Sequence, residues 1–321
     1  MRNLQRIALM VAACCPLSAT AQQDYPNRPI RLVIPMAAAG ATDILVRMIT
    51  PKMTELLGQQ IVVDNRPGAN GVIGDEMVVH ATPDGYTLHA NALAIAINPS
   101  LYKLNYDITR DLAPVTELAA IDLIFGIHPA VPAKTIAELI AYAKANPGKL
   151  NYGSFGIGSI SHIAGEMFKQ AAGVNIVHIA YKTSPMAVQE TIAGQNHIVM
   201  GGISYMLPQV RAGRLRGIAL CSLKRSPLAP EIPTVDESGL PGFNVNAWFG
   251  MWAPAKTPRA IIARVNAVVA KALNDPAVRE KVEGQGYQPV ASSPDDFGKF
   301  VRDEVAKFAR VIKAAGIKPE G

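Results

Sequence analysis

Short runs of β-branched and apolar residues alternate with amphipathic helical stretches along nearly the whole chain. That alternation restricts it to parallel sheets flanked by helices. The spacing predicts strand over Ile30–Pro35, helix over Thr42–Leu57, strand over Gln60–Asp64, helix over Asn70–His80 and strand over Tyr86–Ala90. In the first helix Ile44, Leu45, Met48, Ile49, Met53, Leu56 and Leu57 make an apolar stripe that Pro51 should kink. A second unit follows Leu123–His128: helix Ile136–Ala145, strand Leu150–Gly153, helix His162–Ala172, strand Ile176–Tyr181, helix Pro185–Ala193, strand Ile198–Met200, helix Tyr205–Ala212 and strand Arg216–Cys221. The proline-rich stretch Pro227–Pro241 leads through Val245–Pro254 to two long helices, Pro258–Leu273 and Asp295–Ala315, expected to pack back on the first unit. A chain that builds one lobe, leaves to build another and returns must cross twice, near Leu118–His128 and Asn244–Ala253. The expected division is therefore 22–123 with 245–321 as one doubly wound lobe and 124–244 as the other, hinged at two crossovers.

Residues 1–21 read as a secretory signal. Arg2 and Arg6 precede the apolar run Ile7–Cys15, and the small residues Ala19 and Ala21 fit cleavage before Gln22. The run falls far short of the roughly 20 residues that span a bilayer. Val11-Ala12-Ala13-Cys14 offers the rival reading of a lipoprotein with Cys14 acylated. Cleavage leaves Cys221 as a lone thiol after an apolar strand, read as a small buried hydrophobe. The six histidines are scattered, with no zinc-like spacing, so no metal or other cofactor is expected. Without Arg2 and Arg6 the chain keeps 29 Lys and Arg against 25 Asp and Glu. This dispersed excess suits an anionic small molecule, and the absence of basic stripes argues against nucleic acid.

Three strand-to-helix loops could hold that anion. The first, Pro35–Asp43, offers Gly40 for a close backbone approach, Thr42 as a helix N-cap and Asp43 in the first turn. The second, Gly153–Glu166, alternates Gly153, Gly156 and Gly158 with Ser154, Ser159 and Ser161 before His162 opens a helix. The free N–H groups of a helix start suit a carboxylate or phosphate without any catalytic residue. A hydrolase reading makes Ser154 or Ser159 a nucleophile with His162 as its base, but it lacks the Gly-x-Ser-x-Gly elbow. The third loop, Tyr181-Lys182-Thr183-Ser184 before Pro185, places two hydroxyls and a cation at another helix start. Trp248 and Trp252 read as packing at the second crossover.

Tyr25-Pro26-Asn27-Arg28-Pro29-Ile30, Gly40-Ala41-Thr42-Asp43, Asp64-Asn65-Arg66-Pro67-Gly68-Ala69-Asn70-Gly71, Asp84-Gly85-Tyr86-Thr87-Leu88, Ala145–Gly153, Tyr181-Lys182 and Trp248-Phe249-Gly250 occur in this order along the chain. In these stretches the chain resembles the substrate-binding proteins of tripartite tricarboxylate transporters, the Bug receptors, over essentially its whole mature length. The resemblance implies an α/β periplasmic-binding-protein fold, a Venus-flytrap clamshell that binds a carboxylated metabolite between its lobes. It implies delivery to membrane permease subunits without chemistry, by a monomeric periplasmic protein. A periplasmic sensor feeding a membrane kinase remains an alternative.

The binding positions implied by the resemblance are Met36, Ala39, Gly40, Thr42 and Asp43; Ser154, Phe155, Gly158, Ser159 and His162; and Lys182, Thr183 and Ser184. The chain departs from the family pattern at Ala39, where one of two glycines is usual, at Thr183, where glycine is usual, and at His197, where aspartate is usual. Phe155 and Ile157 replace small or polar residues, and with Met36 they imply a cleft more apolar than citrate would need. The expected ligand is a carboxylate with an aliphatic or aromatic body.

Overall fold

A computed structural model describes residues 25–318; the expected signal peptide and Cys14 lie outside the described residues. The first elements are β1 (Ile30–Ile34), α1 (Ala41–Leu57), β2 (Ile61–Asn65), a 3-10 turn (Ala69–Gly71), α2 (Val72–Val79), β3 (Thr87–Ala92) and α3 (Ala94–Leu101). The long strand β4 (Leu112–Ile127) then leads into α4 (Ile136–Ala145), β5 (Asn151–Ser154), α5 (Ile160–Ala172), β6 (Val177–Ala180), α6 (Ser184–Ile192), β7 (Ile198–Gly202), α7 (Ile203–Arg211) and β8 (Arg216–Leu220). The return comprises β9 (Asn246–Pro254), α8 (Arg259–Asn274), α9 (Pro276–Gly284), β10 (Gln288–Pro289) and α10 (Pro294–Ala314).

The strands run in the order β2-β1-β3-β9-β4-β7-β5-β6, with β8 and β10 also paired to β4. β4 changes partner along its length. From Leu112 to Asp122 it lies antiparallel to β9, and from Leu123 to Ile127 it pairs with β7. The strand predicted over Leu123–His128 is therefore only the end of a longer one.

Strand direction fixes where a ligand can sit. β1, β2 and β3 are mutually parallel and β3 is antiparallel to β9, so all three share the direction of β4 and point toward the second lobe. β7 is antiparallel to β4, and β5 and β6 run with β7, so these strands point back toward the first lobe. The carboxyl ends of both sheets face each other across one gap, where open α/β sheets place their ligands. The starts of α1, α5, α6 and α7, the helices that follow β1, β5, β6 and β7, line it.

Two apolar cores lie on opposite faces of this sheet, and each spans both lobes. α1, α8, α9, α6 and α7 contribute to one; α3, α5 and α10 contribute to the other. β9 serves both through its period of two: Trp248 and Trp252 enter one core, while Phe249, Met251 and Ala253 enter the other. Trp248 is fully buried at the crossover, as expected, and its indole N–H donates to Glu304 Oε2 at 2.9 Å. α8 packs on α1 and β4, and α10 packs on α3 and β4 but also reaches α5 of the second lobe. Gln170 of α5 donates to the Val311 carbonyl of α10 at 3.3 Å. Pro51 lies within α1, which runs through it unbroken.

Candidate functional site

The turn from β1 into α1 is held by Asp43. Gly40, in extended conformation, is the N-cap and has no side chain to give, so the predicted cap at Thr42 is replaced. Thr42 is instead buried within the first turn at 3 % exposure. Asp43 Oδ2 accepts the Ala39 N–H at 2.9 Å, closing the loop in the manner of the back-bonding half of a capping box. Arg47 Nε lies 2.9 Å from both carboxylate oxygens, and Asn65 donates to Asp43 Oδ1 and to the Met36 carbonyl, each at 3.1 Å. Burial by itself would raise the Asp43 pKa, but these hydrogen bonds hold it below the ordinary carboxylate range. Its charge is thus compensated by the Arg47 guanidinium. Ala39 adopts φ 62°, the left-handed region in which glycine is favoured, so a small strain sits where the family pattern has glycine.

The second loop turns its polar groups inward. Ser154 has no exposed surface; its Oγ lies 2.6 Å from His178 Nε2 and within 3.3 Å of both the N–H and the carbonyl of Gly156. Ser159, not His162, caps α5: its hydroxyl accepts the His162 N–H at 3.4 Å. His162 lies in the first turn, and its Nδ1 accepts the Gly158 N–H at 3.0 Å. The imidazoles of His162 and His178 stack at 3.9 Å and 9°, and the Tyr152 ring also stacks with His178 at 4.9 Å and 29°. The hydrolase reading's pairing of Ser154 with His162 gives way to Ser154 with His178. Phe155 is half-buried against the core, whereas Ile157 at the loop tip is 58 % exposed. Gly158 has φ 72°, and a Cβ there would overlap Leu101 of the first lobe. The loop therefore abuts the end of α3 closely.

Burial, with His178 next, lowers the His162 pKa to about 4, and burial lowers that of His178 as well. The folded chain therefore binds fewer protons at His162 than the unfolded chain between its ordinary pKa and about pH 4. This contribution to stability is fully present above that window and falls as pH drops through it. Urea midpoints measured from pH 7.5 to 4.5 should fall more steeply for the natural chain than for His162→Asn, whose Oδ1 can still accept the Gly158 N–H. Parallel slopes would contradict the assignment.

In the third loop Thr183 caps α6 by accepting the Met186 N–H at 3.4 Å, and Pro185 stands in the first turn. Lys182 and Thr183 are exposed and Ser184 is half-buried. The three loops all reach the gap between the sheets. Asn65, Arg47, His178 and Tyr205 also shape them. None stands out in the sequence, because each acts through tertiary contact; the pairing of β5 with β6, which sets Tyr152 opposite His178, is the signal that would have exposed His178.

Two α/β lobes joined through shared strands, with strand carboxyl ends and helix starts opposed across the gap, place this chain among the two-lobed periplasmic binding proteins. The model of the tripartite tricarboxylate transporter family receptor matches residues 45–317, and the chain belongs to that family. Protein BugT of Bordetella pertussis is 33% identical over 320 residues, covering 99% of this chain and 98% of BugT. Rpa4515 of R. palustris with adipate aligns with TM-score 0.77 and 33% identity over 92% of this chain and 100% of that one. MatC (Rpa3494) of Rhodopseudomonas palustris with bound malate aligns with TM-score 0.72 and 31% identity over 90% of this chain and 100% of MatC.

Proposed function

We propose that this protein captures a carboxylated small molecule between its lobes in the periplasm and hands it to the permease subunits of a tripartite tricarboxylate-type transporter, without chemistry of its own. The observation that carries the reading is the opposition of two sets of strand carboxyl ends and helix starts, whose N–H groups and dipoles favour a carboxylate from both sides. The adipate and malate of the two solved relatives support dicarboxylates as the ligand class. Residues 22–123 with 245–321 act as one lobe and 124–244 as the other, bending where β4 exchanges β9 for β7. Met36 and Ile157 favour an aliphatic or aromatic body over citrate, whose third charge would lose water without compensation.

A thermal-shift screen against malate, adipate, terephthalate and citrate tests this. A ligand at 100 times its Kd adds about 2.7 kcal/mol, a rise of roughly 5 °C for a chain of this size. Adipate or terephthalate should give such a rise and citrate a smaller one. No shift with any carboxylate would sink the proposal.

A further inference from the structure

α7 begins directly at the carboxyl end of β7, and its third residue, Tyr205, remains 37 % exposed although its neighbours Ile203 and Met206 are buried. The ring lies across the last two residues of the strand. A Cβ on Gly201 would stand 2.8 Å from Tyr205 Cε2, and one on Gly202 would stand 3.1 Å from Cε1. The glycine pair is what lets the ring lie down on the backbone. The Tyr205 hydroxyl is turned toward Ser184, at the start of α6, and toward the Gly202 backbone.

The position of this ring relative to the first lobe follows from a short chain of contacts. Ser204, next to Tyr205, packs against Gly286, whose added Cβ would meet Ser204 Cβ at 3.1 Å. Tyr287, next to Gly286, donates its hydroxyl to the carbonyl of Ala41, the first residue of α1, at 2.7 Å. The start of α7, which carries Tyr205, is thereby linked to the start of α1 through Gly286 and Tyr287.

We propose that Tyr205 determines which carboxylates the site accepts. Its ring forms the surface against which the ligand's carbon skeleton lies, favouring an aromatic or long methylene body over a short hydroxylated one. This inference rests on the receptor reading above.

Calorimetric titration of the natural protein, Tyr205→Ala and Tyr205→Phe with terephthalate, adipate and malate tests it, with thermal melts of each variant to establish folding. The natural protein should bind terephthalate and adipate more tightly than malate. Tyr205→Ala should weaken the first two about tenfold, or about 1.4 kcal/mol, and malate less than about threefold. Tyr205→Phe should keep the natural ranking. Equal loss for all three ligands in Tyr205→Ala, no loss for any, or a natural preference for malate would overturn the role of Tyr205 while leaving the receptor reading intact. A natural protein that binds none of the three would bring down the receptor reading itself, and this inference with it.

Discussion

Asp75→Ala is expected to cost about 3–5 kcal/mol of folding stability, because it opens a buried network to which water has no access. Asp75 in α2 and His89 in β3 are fully buried, with Oδ1 2.8 Å from His89 Nε2. The same oxygen accepts from Asn91 Nδ2 at 2.8 Å, and Oδ2 accepts from the Tyr106 hydroxyl at 3.1 Å. His89 Nδ1 in turn lies 3.2 Å from the Val33 carbonyl of β1. One carboxylate therefore ties α2, two residues of β3 and the approach to β4 together, and its loss strands three polar groups at once. Burial and the Asp75 charge both push the Tyr106 phenol pKa up, so the hydroxyl keeps the proton it donates. Urea unfolding should show the midpoint fall with the slope unchanged. A loss below about 1 kcal/mol would contradict the network.

Asp43→Ala should weaken binding of adipate by about tenfold to a hundredfold, or about 1.4–2.7 kcal/mol, while costing less than that in stability. The reasoning is positional. Asp43 fixes the Ala39 N–H, the Arg47 guanidinium and, through Asn65, the Met36 carbonyl; without it the whole β1–α1 turn loses its anchor. Removing a negative charge beside a carboxylate ligand would tighten binding if simple Coulomb repulsion governed the site. The two accounts therefore predict opposite signs. Calorimetry with adipate separates them, and tighter binding in the variant would reject the anchoring role.

The alternation of strands and helices was legible because it is a matter of local period. α4 matches its expected span Ile136–Ala145, its first turn marked by Thr135, which caps it, and Glu138. Where period fails, so does the reading. The first half of β4 carries Pro114 and two register shifts, before Thr116 and before Ala119, which break the alternation that marks a strand. α9 buries only Val278 and Val282, too thin a stripe to recognise in nine residues. The site divides in the same way. Thr183 signals its cap from the residues that follow it, but Thr42 was misread because the carboxylate one position on took over the loop. His178 reaches Ser154 only through the register of β5 with β6, and Tyr205 reaches Gly201 only because α7 turns back over β7.

The insertion of β9 between β3 and β4 bears on how the chain comes into being. A chain emerging from its N-terminus completes every strand of the second lobe by Leu220, yet the slot between β3 and β4 stays empty until Asn246–Pro254 appears. Until then two strand edges of the first lobe are unpaired, and their N–H and carbonyl groups can recruit other chains. The order of completion is thus the reverse of the order of synthesis: the lobe begun first is finished last. The strand that closes it is also the second of the two that join the lobes, so the first lobe gains its full sheet only when the return crossover is already in place.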